Sequence, residues 1–177
     1  REHENGTMPL GGVKPRFVEL VRDTALEYEQ AMARFEFWRV MTIVDAFLRE
    51  VAKYWNDASR SCRKLDTAEA EPEAAGGAIG TDAASRADAA WHELLVNAFY
   101  LLRAAAMLVE PIAPSGCRMI IDYFDLGDAE TFLSWEHIFD EGFDAFTTDQ
   151  EKAAGAHAVK ELPPRTDFFE KHPSQFE

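Results

Sequence analysis

The run from Ala87 to Val109 contains "WHELLVNAFYLLRAAAMLV" and is apolar almost all the way round a helix; "PIAP" follows within two residues. Its polar strip is narrow, made of His92, Glu93, Asn97 and Arg103. A helix without a broad polar face belongs among other helices. Pro111 and Pro114 lack a backbone N–H and clash with the preceding turn, so the helix cannot run through them. They predict a fixed corner, and "CRMIIDYF" then belongs to a further helix from about Ser115 to Leu126. One enclosed helix and one rigid corner point to a helical bundle.

The rest of the chain supplies partners for that helix. Pro15 suits the first turn of a helix. Phe17, Leu20, Val21, Thr24 and Tyr28 recur at helical spacing to about Gln30. A longer helix is predicted from about Glu29 to Cys62. At ~100° per residue, Phe37, Val40, Val44, Phe47, Leu48, Val51 and Trp55 fall on one broad face, which reads as its core side. From Leu65 to Ala84, "LDTAEAEPEAAGGAIGTDAA" nearly lacks large apolar residues and reads as a flexible loop, with Ser85 or Asp88 capping the next helix. "DAETFLSWEHIF" predicts a short helix or turn, and "AHAVKEL" is the best strand candidate. Pro163, Pro164 and Pro173 favour extended segments. The expected fold is all-α: a bundle of four to five helices over residues 13–147, with an irregular C-terminal tail over 148–177.

Charge narrows the function. The formal net charge is −14 over 177 residues. That argues against a non-specific nucleic-acid coat and against DNA, because displacing counterions from phosphates needs a basic surface. A local basic patch on an acidic body is compatible with it. No window reaches ~18 uninterrupted apolar residues, so neither a transmembrane helix nor a membrane partner is expected. "REHENGTMPLGG" is polar and glycine-rich, unlike a signal peptide. A start at Arg1 predicts a processed or excised piece of a longer product. The only cysteines, Cys62 and Cys117, make no disulfide framework or zinc site, and a reducing cytoplasmic setting is expected.

Several chemistries lack their residues. There is no Glu-x-x-His pair of the kind that di-iron bundles use, and the five histidines are scattered, so no metal is expected. No G-x-G-x-x-G or G-x-x-x-x-G-K-[ST] occurs; "GGAIG" at 76–80 has no preceding strand and no following lysine. Cys62 has Arg60, Arg63 and Lys64 nearby, which would lower its pKa, but a helix C-terminus opposes this and no histidine partner is near in sequence. A structural cysteine is expected.

One constellation is left. Arg49, Lys53, Asn56, Arg60 and Lys64 fall within about 80° of each other on the long helix, opposite its core stripe. Basic residues with an amide suit phosphates and base edges. The plain alternative is an ordinary solvated face, with Lys and Arg complementing the dipole near a helix end.

The residues also resemble a family. "LLRAAAMLVEPIAPSGCRMI" is similar to the helix–proline corner of the anticodon-binding domain of methionyl-tRNA synthetases, with Leu102, Arg103, Ala106, Leu108, Pro111, Pro114 and Ile120 in matching places. "NGTMP" (Asn5–Pro9) resembles the start of that domain, and "FEFWRVMTIVDAFLREVAKYW" its second long helix, with Tyr54 as the tyrosine of an N-x-Y motif. "SWEHIF" and "HAVKELPPRTDF" resemble its Trp-containing turn and closing segment, with Leu162, Pro164 and Arg165 in place. The resemblance spans most of the chain in the right order.

It implies binding of methionine tRNA through the anticodon, with the catalytic domain of the same synthetase as a second partner. ATP and methionine would bind that catalytic domain. No cofactor is expected on this chain, which carries no HIGH-like or KMSKS-like signature and is not expected to activate methionine by itself. The chain departs from the family at Ala52, where the motif has Asn, and near Arg60 and Ser61, where the family has Pro-Trp. The family's first anticodon helix would precede Arg1. Trp55, Asn56 and Arg60 are the substitutes that the sequence offers. The competing expectation is a helical protein–protein interaction module that kept the bundle and reads no RNA; it predicts an exposed apolar patch and no basic one.

Overall fold

The computed structural model describes residues 7–9, 12–70, 80–124, 133–139 and 156–158. The fold is an all-α bundle of four helices: α1 (Pro15–Ala33), α2 (Phe37–Ala70), α3 (Gly80–Val109) and α4 (Pro114–Phe124). A single 3-10 turn, Trp135–His137, and a short antiparallel ribbon complete the described elements. By its contacts the chain divides into two units, Gly11–Leu102 and Arg1–Leu10 with Arg103–Glu177, and α3 is continuous through the division.

In the first unit, Pro15 opens α1 after Lys14, which supplies no side-chain cap. The missing N–H of proline costs nothing there because the first turn has no internal acceptor for it. Phe17, Val18, Val21, Ala25, Tyr28 and Ala31 form its buried stripe. The helix ends in a tight reversal. Glu36 N–H donates to the Ala31 carbonyl at 2.9 Å and Phe35 N–H to the Met32 carbonyl at 3.0 Å. This paired pattern needs a left-handed residue at its end, and Phe35 takes it with φ 59°. Glycine is the usual occupant because a Cβ is strained there.

α2 then runs for 34 residues. The stretch from Leu65, expected as loop, continues it to Ala70. Ala, Glu and Leu favour helix, and the first breaker is Pro72, two residues beyond the end. Trp91 of α3 donates its indole N–H to both carboxylate oxygens of Asp66, at 3.0 and 3.2 Å, within that stretch. α3 likewise begins at Gly80, earlier than the capping residues suggested. Residues 71–79 lie outside the described ones.

The polar strip of α3 divides. His92 and Glu93 are exposed, while Asn97 and Arg103 are buried. Asn97 is held from two sides: its Oδ1 accepts from the Lys14 backbone N–H at 2.8 Å and its Nδ2 donates to the Glu93 carbonyl at 2.6 Å. By length and composition Arg86–Val109 would suffice to cross a membrane; here 72% of its apolar window is buried within the protein.

The second unit contains the corner. α3 stops at Val109, whose carbonyl accepts from Ile112 N–H at 2.8 Å and Ala113 N–H at 2.9 Å, and Pro114 opens α4. The Cys117 thiol donates back to the Ala106 carbonyl at 3.3 Å, tying α4 to the helix before the bend. Thr7–Pro9 pairs antiparallel with Ala156–Ala158, so the strand candidate near 156 is a strand over its first three residues. Leu162, Pro164, Arg165 and most of the expected tail lie outside the described residues.

Candidate nucleic-acid interface

α2 carries every residue of the predicted interface. Arg49, Lys53, Asn56, Arg60 and Lys64 recur at spacings of three and four and are all exposed. Val40, Val44, Phe47 and Cys62 of the same helix are buried, so the basic residues do lie away from its core stripe. Between Asp45 and Lys64 there are five basic and three acidic side chains, a local net charge of +2 on a chain of −14.

The site is not uniformly cationic. Arg49 donates through Nε to Asp45 Oδ2 at 2.8 Å, one turn back, which raises its pKa by hydrogen bond and charge. Such an exposed pair is weak and screened by salt. Lys53, Arg60 and Lys64 form no ion pair with any described residue.

Trp55 needs correcting. Periodicity placed it on the core face with Phe37 and Leu48, yet it is 42% exposed, and Phe37 and Leu48 are exposed too. The buried stripe is narrower and includes Ile43, so the outer members of the broad apolar face are left at its edges. Trp55 is thereby open to solvent, about 100° round the helix from Asn56.

Cys62 also differs from expectation. It lies inside α2 rather than at its end, is buried, and has its thiol pKa pushed up by burial, with the Asp66 and Glu93 charges adding to the effect. It is inert by this chemistry. Among the described residues no group of three or more His, Cys, Asp and Glu side chains comes together as a metal site.

Next to the basic face is a feature that periodicity did not reveal. Arg16 lies over the Phe17 ring at 4.4 Å from its centroid and 5.8 Å from that of Tyr54; the two rings are 4.5 Å apart and tilted by 57°. Burial, followed by the Glu93 charge, raises the Tyr54 pKa against the opposing effects of Arg16 and a hydrogen bond with Asn97. Lys14 forms an ion pair with Glu93 beside it. An open groove of about 580 Å³ runs between α1 and α2 here, and Lys53 of the predicted interface lines it with Arg16 and Tyr54. A second groove, of about 380 Å³, runs from Arg16 and Tyr54 towards Glu93 of α3. Phe17 and Tyr54 were legible as an apolar residue and a motif tyrosine. Arg16 carried no signal, because only the packing of α1 on α2 brings it over Tyr54.

At the other end of the α1–α2 hairpin, Phe35, Phe37 and Trp38 are 78%, 58% and 74% exposed, with Met41 beside them in the sequence also exposed. The Phe35 and Phe37 rings meet edge-on at 6.4 Å.

No family model matches the chain, and no curated protein matches it either.

Proposed function

We propose that this chain is a tRNA-binding helical module of the anticodon-binding type carried by methionyl-tRNA synthetases, contributing RNA affinity to aminoacylation catalysed elsewhere. The observation that carries this reading is the solvent-exposed α2 face with Arg49, Lys53, Asn56, Arg60 and Lys64, a positive strip on an acidic protein. Unpaired Lys53, Arg60 and Lys64 supply charge for phosphates, Asn56 an amide for a base edge, and exposed Trp55 a stacking surface. The acidic remainder repels RNA and limits contact to this strip. On this reading ATP and methionine bind a separate catalytic domain, and this chain holds no cofactor.

The test is a titration of the chain with methionine tRNA and with a non-cognate tRNA at low and moderate salt. Binding should favour the methionine tRNA and weaken with salt. The double substitution Arg60→Glu, Lys64→Glu should weaken it at every salt and reduce the logarithmic salt slope by about two, one per phosphate contact. Unchanged affinity in the double variant would remove the α2 strip from the interface.

One observation favours a second reading. The Phe35, Phe37 and Trp38 cluster is the exposed apolar patch that a protein-docking module would present. On that reading the hairpin tip meets a protein partner, such as the catalytic domain of the same synthetase. Loss of partner binding on Trp38→Ser, together with no tRNA binding by the native chain, would support it.

A further inference from the structure

We infer that the N-terminal half of α2 is a self-association surface, through which two copies of this chain pair antiparallel about a two-fold axis at Leu48. The inference goes beyond the RNA-binding reading and does not depend on it.

The surface is an apolar stripe along one helix. Phe37, Met41, Leu48 and Trp55 fall within about 40° of each other at ~100° per residue and span about 27 Å of helix. All four are exposed, by 39% to 58%. The last three repeat at every seventh residue, the spacing with which one helix keeps a single face towards another. Further along the same side of α2 the stripe is covered: Ser59 and Cys62 are buried, and Trp91 of α3 reaches Asp66. The half from Phe37 to Trp55 therefore continues a packed helix face and is itself open. A face of this shape takes another helix.

A second copy of α2 suits it. In a two-fold antiparallel pair centred on Leu48, the two Leu48 side chains meet, and each Met41 comes level with Trp55 of the other copy, a thioether–aromatic contact. Ala52, exposed at the edge of the stripe, is small enough to let the helices approach. Asp45 and Arg49 stand one turn apart on that same edge. The two-fold brings each carboxylate to within about 3 Å, along the helix axis, of the level of the other copy's guanidinium, so the edge is complementary to itself. The area is also sufficient. With Trp38 at its margin, the stripe exposes roughly 500 Å² of apolar side chain, which is the apolar share of the ~800 Å² that each partner gives to a stable interface. The stretch is less acidic than the chain as a whole, with a net +2 from Asp45 to Lys64 against −14 overall, so like copies meet where their repulsion is reduced. Both basic strips then lie on one side of the pair.

The experiment is sedimentation equilibrium of the full chain, from about 1 to about 200 μM at neutral pH and moderate salt. The mass should rise with concentration from the monomer's 19.9 kDa towards twice that value, with a Kd on the order of 10 μM. Leu48→Asp sets two like charges against each other at the axis and should weaken pairing about tenfold or more, with helical circular dichroism unchanged. Leu48→Cys gives a second readout. With oxidised glutathione as oxidant it should form a disulfide-linked dimer in higher yield than Asp57→Cys, which is exposed on the far side of α2; the native Cys62 and Cys117 are buried. Monomer mass at the highest concentration would overturn the proposal. So would undiminished pairing of a folded Leu48→Asp variant, or equal crosslinking of the two cysteine variants. Binding of methionine tRNA by a strictly monomeric chain would leave the RNA reading intact and remove this one.

Discussion

α2 and α3 are of similar length, 34 and 30 residues, yet they perform opposite tasks. α3 buries Leu94, Val96, Phe99, Tyr100, Leu101 and the run from Arg103 to Val109. α2 buries one stripe and leaves Trp55, Leu48 and its charged residues from Asp45 to Asp66 in solvent. The difference teaches where function can reside. A helix enclosed on most sides carries stability and has little surface to offer a ligand. A helix with one buried stripe can change its outer residues at small cost, and the candidate RNA-binding strip uses it.

The largest expected effect tests that division directly. Leu101→Ala removes a fully buried side chain from α3 and should cost about 2–5 kcal/mol, while Leu48→Ala on the outer side of α2 should cost under about 1 kcal/mol. Urea midpoints measured at one pH decide it. Equal losses would mean that α2 is as deeply packed as α3 and would break the comparison.

A smaller effect concerns what anchors the end of α3. Cys117, whose thiol reaches the Ala106 carbonyl, has its pKa raised from 9.0 to about 11 by burial and then by the Glu110 charge. Below pH 9 the thiol is protonated both folded and unfolded, and the stabilisation is intact. Above pH 9 the unfolded chain releases its proton first, so stability falls as pH rises towards the folded value. The loss should approach about 2–3 kcal/mol by pH 11. Cys117→Ala should flatten that alkaline decline in denaturation midpoint. An equally steep decline in the alanine variant would place the titrating group elsewhere.

The smallest effect lies where α2 begins. Phe35→Gly relieves the left-handed backbone and removes a side chain with little burial, so it should stabilise the chain by about 0.5–1 kcal/mol in thermal or urea unfolding. A net loss would show that the Phe35–Phe37 contact outweighs the backbone strain, and that the tip is more firmly packed than its exposure suggests.

Much of the fold was legible. Pro15 marks the start of α1 and Pro111 and Pro114 the corner, because proline acts through its own ring and missing N–H whatever surrounds it. The helical periods of α1, α2 and α3 come from local spacing in the same way. The site was half legible. The basic strip follows from angular spacing, and its exposure agrees. Trp55 was misplaced because periodicity finds the centre of an apolar stripe, whereas the facing helix sets its width. The loop expected from Leu65 is partly helix because a scarcity of large apolar residues was read as disorder, although Ala and Glu favour helix and Pro72 was the first true breaker.

The sequence alone therefore determined the helical periods, the proline-marked start of α1 and corner after α3, the acidic balance and the single basic face, all properties of residues and their near neighbours; the break at residues 34–36 falls inside the helix it predicted from about Glu29. Tertiary structure decided which polar residues of α3 are buried, how Asn97 holds Lys14, and that Arg16 lies over Phe17 beside Tyr54. Those contacts join residues as far as 83 positions apart, as for Lys14 and Asn97. Their geometry depends on how one helix packs against another, which the spacing within either helix does not encode.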